Sequence, residues 1–221
     1  MTEYALEARG FTLTYPGADA PVFAPMDFAI EAGETVALRG ESGAGKSSLL
    51  RCACALIPQS IQAQIMGELL LFGKPPADYA RAELCHTIGM VFQDPETQLF
   101  CGTAELEVAF GLENLLVPHA EMVGRVREAL ETVGLWERRG DSPAVLSGGQ
   151  KQLLALGAVL ALRPRLLLLD EALSQLDQDA AARMMQVLRR LQKGGQTMLF
   201  ADHDDARRAL AHRTIWIKND A

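Results

Sequence analysis

The spacing of apolar and polar positions changes along the chain, and each change predicts a different kind of element. Near the N-terminus, Leu6 to Tyr15 and Met26 to Glu31 alternate or cluster apolar residues, with Pro16-Gly17 and Ala32-Gly33 supplying turns, which predicts β-structure. Glu34 to Leu38 is a short apolar strand, followed by a Gly-rich turn and a helix from about Gly45 to Leu56. After Met66 the run GELLLFG predicts another strand, then a polar loop, a helical stretch around Ala77 to Leu84, and a strand over Thr87 to Phe92. From about Glu96 to Val145 the spacing becomes helical, with apolar repeats in Ala104 to Leu116 and Met122 to Val133. A further helix starts near Ser147. It is followed by a strand at Leu166 to Leu169, a helix at about Gln178 to Gln192, and strands at Thr197 to Ala201 and Thr214 to Ile217.

Strands that alternate with helices place the chain in the α/β class, with a mainly parallel sheet covered on both faces. The N-terminal β segments form an antiparallel β subdomain. Residues of about 96–159 form an α-helical subdomain inserted into the core, which residues 1–95 and 160–221 supply, all within a single domain over 1–221. Such sheets bind ligands at the C-terminal ends of their strands, so the residues just after each strand carry the interest.

Composition narrows the options. The 221 residues are 49% apolar and 22% charged, enough for a core without disulfides or a structural metal. A net charge of −7 disfavours non-specific nucleic-acid binding, which needs surplus Lys and Arg. Cys52, Cys54, Cys85 and Cys101 lack the clustering of a zinc site and read as reduced thiols. The start, MTEYALEARGF, is too charged for a signal peptide. The longest apolar run, Leu153 to Leu162, is half a membrane span, so contact with a membrane is expected only through a partner.

The first chemical motif is GESGAGKS, which fits G-x-x-x-x-G-K-[ST] between a strand and a helix. It comprises Gly40, Glu41, Ser42, Gly43, Ala44, Gly45, Lys46 and Ser47, with Ser48 following. The small residues let backbone N–H groups wrap phosphate oxygens, and the helix start adds its unpaired N–H groups and positive dipole end. Lys46 reaches the β- and γ-phosphates of ATP, and the Ser47 hydroxyl can ligate Mg²⁺. The core is thus expected to be a P-loop NTPase. The second motif is RLLLLDE, Arg165 to Glu171, a buried strand that ends in two acids. Asp170 is placed to hold Mg²⁺ through water, and Glu171 to take a proton from an attacking water.

The third motif is LSGGQKQ, Leu146 to Gln152, a second potential phosphate-binding helix start, with Ser147 as N-cap. With this segment the chain resembles the ABC (ATP-binding cassette) ATPase family, whose signature is LSGGQ. The resemblance implies a head-to-tail dimer. In it Ser147, Gly148, Gly149 and Gln150 would close over the ATP held by the phosphate loop of the opposite subunit, and Asp177 of SQLD would cross the same interface. It implies further roles: Tyr15 of TYPG stacks on adenine, Gln93 of VFQDP contacts Mg²⁺ and the attacking water, and His203 of ADHD contacts the γ-phosphate. Ala172 stands where the family more often has Pro, and Gln175 where it more often has a small residue. Neither removes a reacting group.

Lys46 and Ser147 lie about 100 residues apart, room for a compact helical subdomain but not for the long coiled coil of DNA-repair relatives. The family resemblance therefore points to the engine of a membrane transporter, bound at the cytoplasmic face of the membrane. VFQDPETQLFCGTAELEVAFGLENL, Val91 to Leu115, is similar to the ATPases of energy-coupling factor importers, which take up vitamins or the ions of cobalt and nickel. That likeness implies three partners: a second ATPase subunit, an integral membrane coupling protein and a small substrate-binding membrane protein.

Overall fold

The computed structural model describes residues 3–174, 176–202 and 209–218. Two sheets organise it. The first has order β2-β1-β4, built from β1 (Tyr4–Thr14), β2 (Met26–Glu31) and β4 (Gln64–Leu71), with both pairings antiparallel. The second has order β5-β6-β7-β3-β8, from β3 (Thr35–Arg39), β5 (Ile88–Val91), β6 (Leu166–Asp170), β7 (Thr197–Ala201) and β8 (Arg213–Trp216), with every pairing parallel. The expected α/β class, the parallel core and the antiparallel N-terminal sheet are all present.

The leucine run of β6 shows how this arrangement is written in the chain. All of Leu166 to Asp170 is buried. Alternate side chains leave opposite faces of a strand. Leu166 and Leu168 join the cluster formed with the antiparallel sheet and α1 (Lys46–Ala53) through Leu6, Phe11, Leu38 and Leu49. Leu167 and Leu169 face the helices, joining Val108, Leu112, Leu130 and Leu154. Each such buried side chain contributes about 1.5–3 kcal/mol of burial free energy, and a strand covered on both faces has no polar position to offer.

The helical side is made by α4 (Ala104–Asn114), α5 (His119–Thr132) and α6 (Gly148–Ala161). These three pack on one another, and α6 also packs on β5 and on α7 (Gln178–Lys193). Its apolar residues share one cluster with the parallel sheet, so α6 spans from the helical layer to the core.

Some boundaries differ from the apolar pattern, for local reasons. The helix expected over Gly45 to Leu56 ends at Ala53, with Cys54 as its C-cap, because Ala55 adopts φ 58, and a short α2 (Leu56–Gln59) follows. The helical stretch expected at Ala77 to Leu84 splits into a 3₁₀ turn at Pro76–Asp78 and α3 (Arg81–Thr87), separated by extended Tyr79 and Ala80. Strand β4 begins at Gln64 rather than after Met66, so Gly67 lies inside it. It sits beside a register shift in β1, with φ +74, and a Cβ there would lie 2.2 Å from the Gly10 carbonyl oxygen. This glycine marks a bulge with close backbone approach, not a strand boundary.

Candidate nucleotide site

Parallel strands end on the same edge of their sheet, so the residues after β3, β5, β6 and β7 converge there. The loop Gly40 to Gly45 links β3 to α1. Gly43 and Gly45 have φ +81 and +92, and a Cβ on Gly45 would meet Val22 Cγ1 at 2.5 Å and Phe23 Cδ1 at 2.7 Å. Only glycine satisfies both the left-handed backbone and this close packing. Helix α1 has Gly45 as its N-cap and no side-chain capping bond, so its first N–H groups carry no side-chain acceptor.

Lys46 is buried, and its Nζ donates to the carbonyl oxygens of Gly40 (3.1 Å) and Glu41 (3.0 Å), holding the loop closed around it. The same Nζ lies 3.9 Å from Glu171 Oε1. Burial lowers the Lys46 pKa, and the nearby Glu171 and Asp170 partly oppose that shift. Ser47 Oγ donates to Asp170 Oδ1 at 2.8 Å, joining the start of α1 to the end of β6. Burial raises the Asp170 pKa; the Ser47 hydrogen bond and Arg51 pull it back, while Glu171 adds to the rise. Glu171 follows with φ 48, a conformation costly for a non-glycine residue, and its N–H donates to Ala201 O at 3.0 Å. This pairing with the end of β7 fixes the backbone that carries the second acid.

Six predicted residues therefore meet: Gly40, Glu41, Lys46, Ser47, Asp170 and Glu171 are linked through the contacts above, and Ser48 extends the group. Its Oγ hydrogen-bonds the Tyr15 hydroxyl at 2.8 Å, which brings the end of β1 to the phosphate loop. Ser47 Oγ and Asp170 Oδ1 are hard oxygen donors at mutual hydrogen-bond distance, a donor set that fits Mg²⁺. Gln93 is exposed in the segment after β5. His203 and Gln175 lie outside the described residues.

The signature segment forms a separate helix start. Ser147 Oγ accepts from Gln150 N (3.3 Å) and Gln150 Oε1 accepts from Ser147 N (3.0 Å), a complete capping box. Gln150 Oε1 also accepts from Arg138 Nη1 at 2.7 Å. Ser147 and Gly148 are exposed, whereas Gly149 packs so tightly that a Cβ would lie 2.2 Å from Ala180 Cβ. Asp177 is the N-cap of α7, accepting from Ala180 N at 2.8 Å. Among the described residues, no hydrogen bond or ion pair joins Ser147 to Gln150 with the phosphate loop.

Several contributors carried little sequence signal. Glu107 is buried on α4, and its Oε2 accepts from the N–H groups of Phe100 (2.9 Å) and Cys101 (2.6 Å). Its one trace in the sequence is a carboxylate at a core-facing register, beside Ala104 and Val108. Gln98 bridges Phe92 N (3.2 Å) and Met90 O (3.0 Å), and the buried Gln152 donates to Phe92 O at 2.7 Å. The cysteines are all free, and burial pushes the Cys52 and Cys54 thiols up to about 12. No group of metal-ligating side chains of three or more occurs among the described residues, and no helix there is long and apolar enough to cross a membrane.

Residues 23–174 match the family described as ABC transporter. The energy-coupling factor transporter ATP-binding protein EcfA1 of Levilactobacillus brevis is 37% identical over 98% of this chain and 76% of its own length. The chain spans 34% of the length of one curated relative and 71% of another. Among solved structures, cbiO1 from Clostridium perfringens, part of the ABC transporter complex cbiONQ, has 32% identity and a TM-score of 0.83 over 98% of this chain and 85% of that one. The ATP-binding cassette MJ0796, a dimer in a post-hydrolysis state bound to ADP and Pi, has 27% identity and a TM-score of 0.82 over 96% and 94%.

Proposed function

Because this chain belongs to the ABC transporter family and carries its ATPase fold, we propose that it binds and hydrolyses ATP to power an importer of the energy-coupling factor type. The observation that carries the ATPase reading is the joining of Lys46, Ser47, Asp170 and Glu171 at one end of the parallel sheet. The importer class is supported by the likeness to EcfA1 along nearly the whole chain and to cbiO1. The cargo is a vitamin or a cobalt or nickel ion.

In this reading the loop N–H groups and Lys46 bind the phosphates, and Tyr15, anchored through Ser48, lies against adenine. Ser47 and Asp170 would hold Mg²⁺, which neutralises phosphate charge when bound. Glu171 accepts the proton of the attacking water, with Gln93 and His203 orienting that water. Lys46 is already turned toward the carbonyls of the loop and toward Glu171, so closing on phosphate exchanges contacts rather than creating a site from nothing. The exposed Ser147–Gly148 end of α6 closes the site of a second subunit, Gly149 and Gln150 holding its shape while Asp177 caps the neighbouring helix. ATP favours the closed dimer by binding it better than the open one.

The membrane partner has a suitable surface. Phe100 and Phe110 are exposed and meet edge to face at 4.7 Å, and Leu106 and Val145 are also exposed. A cleft lined by Glu96, Leu99, Phe100, Pro143 and Lys151 lies beside them. Apolar side chains grouped in this way favour a protein partner. Such docking places the chain at the cytoplasmic face of the membrane.

Gentle detergent purification of the tagged chain from its native cells, followed by mass spectrometry, tests this reading. We expect two integral membrane proteins to co-purify, one of them small. Recovery with a membrane pair and an external binding protein would assign another importer class, and recovery with only ribosomes or DNA would overturn transport.

A further inference from the structure

The segment that follows β5 is held on both sides of Gln93 by the helix that begins with the signature. On one side, the buried Gln152 side chain donates to Phe92 O at 2.7 Å. On the other, Lys151 Nζ meets Glu96 Oε1 at 2.5 Å. Gln98 closes the base of the loop by bridging Phe92 N and Met90 O. Gln93 itself is exposed between these ties.

Gln152 and Lys151 lie within about one and a half turns of Ser147, on a single unbroken helix. A helix transmits a displacement of its end with little loss over that distance. Nothing about phosphate chemistry requires an amide at position 152, whose neighbours Leu153 and Leu154 are buried apolar residues. A buried amide donor costs free energy unless it is hydrogen-bonded, so its one donor bond to the carbonyl preceding Gln93 specifies where α6 and the loop meet.

We propose that Gln152 is a positioning residue for Gln93: it makes the placement of Gln93 in this subunit's site follow the position of the signature end of the same subunit. This rests on the ATPase reading above. When Ser147 and Gly148 engage the phosphate in the opposite subunit, α6 shifts and draws the Phe92 carbonyl with it, so each site registers closure of the other. Lys151 and Glu96 form the more exposed and weaker tie.

The test is a double-mutant cycle on ATP turnover with Gln152→Met, which keeps the side-chain size while removing the donor, and Gln93→Ala. We expect Gln152→Met to lower kcat roughly tenfold with KM for ATP unchanged, and to add nothing in the Gln93→Ala background. Gln152→Leu, which likewise has no donor, should behave like Gln152→Met. A second readout is hydrogen exchange over Phe92 to Gln98 when ATP closes the dimer. The parent should gain protection there and the Gln152 variants should not. Fully additive losses, a rise in KM alone, or an unchanged exchange response in the variants would overturn the coupling. A Gln93→Ala protein with full turnover would instead remove the catalytic reading of Gln93, a failure distinct from that of Gln152.

Discussion

The chain contains two helix starts built from small residues, one at Gly45 and one at Ser147, and they are finished in opposite ways. At the first, Lys46 is buried, Ser47 is tied to Asp170, Glu171 approaches the ammonium, and the helix end has no side-chain cap. At the second, the cap is a complete Ser147–Gln150 box, and Ser147 and Gly148 are exposed. The first therefore gathers charge and reacting groups before any ligand arrives. The second brings shape and a helix dipole but no acid or amine of its own within Ser147 to Gln150. A helix end of this kind contributes modestly alone and decisively when it completes a site that another surface has already charged. That division of labour is what a site shared between two subunits requires.

The comparison breaks most sharply at the charged end. Glu171→Gln removes the proton acceptor while keeping the side-chain shape, and turnover should fall at least about a thousandfold. ATP binding and the ATP-dependent dimer should persist, because Lys46, Ser47 and Asp170 are untouched. Single-turnover hydrolysis and size-exclusion chromatography with ATP measure the two halves of this expectation. Turnover near the parent rate would assign the base elsewhere.

The signature end predicts the converse pattern. A Cβ at Gly148 meets nothing within 4 Å, and its φ is not left-handed. An aspartate near a helix N-terminus is favourable by about 0.3–1 kcal/mol. Gly148→Asp should therefore leave the melting temperature unchanged or slightly raised. It should still lower turnover roughly a hundredfold and abolish the ATP-dependent dimer, because its carboxylate would face the phosphate of the opposite subunit. A variant with normal turnover would show that this helix end never meets a phosphate.

Much of this contrast was legible in the chain, and the reason is physical. A strand covered on both faces has to be apolar throughout, so Leu166 to Leu169 announced the central strand, and the acids after it had to emerge at a sheet edge. The phosphate loop is constrained by backbone geometry that glycine alone tolerates, which leaves a trace at Gly43 and Gly45. Gln152 left no comparable trace, since a glutamine reads as surface until the helix around it is seen to be buried. Glu107 escaped for the same reason, although its core-facing register was available. The early end of α1 before Ala55 and the bulge at Gly67 depend on neighbouring backbone, which no local apolar rhythm encodes.

The two ends should also differ in their response to pH. Burial raises the Asp170 pKa, and the folded chain consequently holds that proton more tightly than the unfolded chain does. Its contribution to stability is present below the unfolded pKa and is lost as pH rises through the folded value. Ligating Mg²⁺ demands the opposite, a deprotonated carboxylate. MgATP binding at Ser47 and Asp170 should thus expel a proton in the window around the raised pKa. Affinity should weaken as pH falls through that window, by up to about tenfold per unit. Calorimetry in two buffers of different ionisation enthalpy counts the proton. Asp170→Asn supplies the control, because protonation of the nucleotide is common to both proteins and only the Asp170 share should vanish. The loss caused by Gly148→Asp should stay nearly constant over the same window, because the helix N-terminus favours the ionised form of the carboxylate it introduces. Equal pH slopes for the parent and Asp170→Asn would mean that this carboxylate does not hold the metal, leaving the contrast between the two helix ends to rest on Lys46 and Glu171.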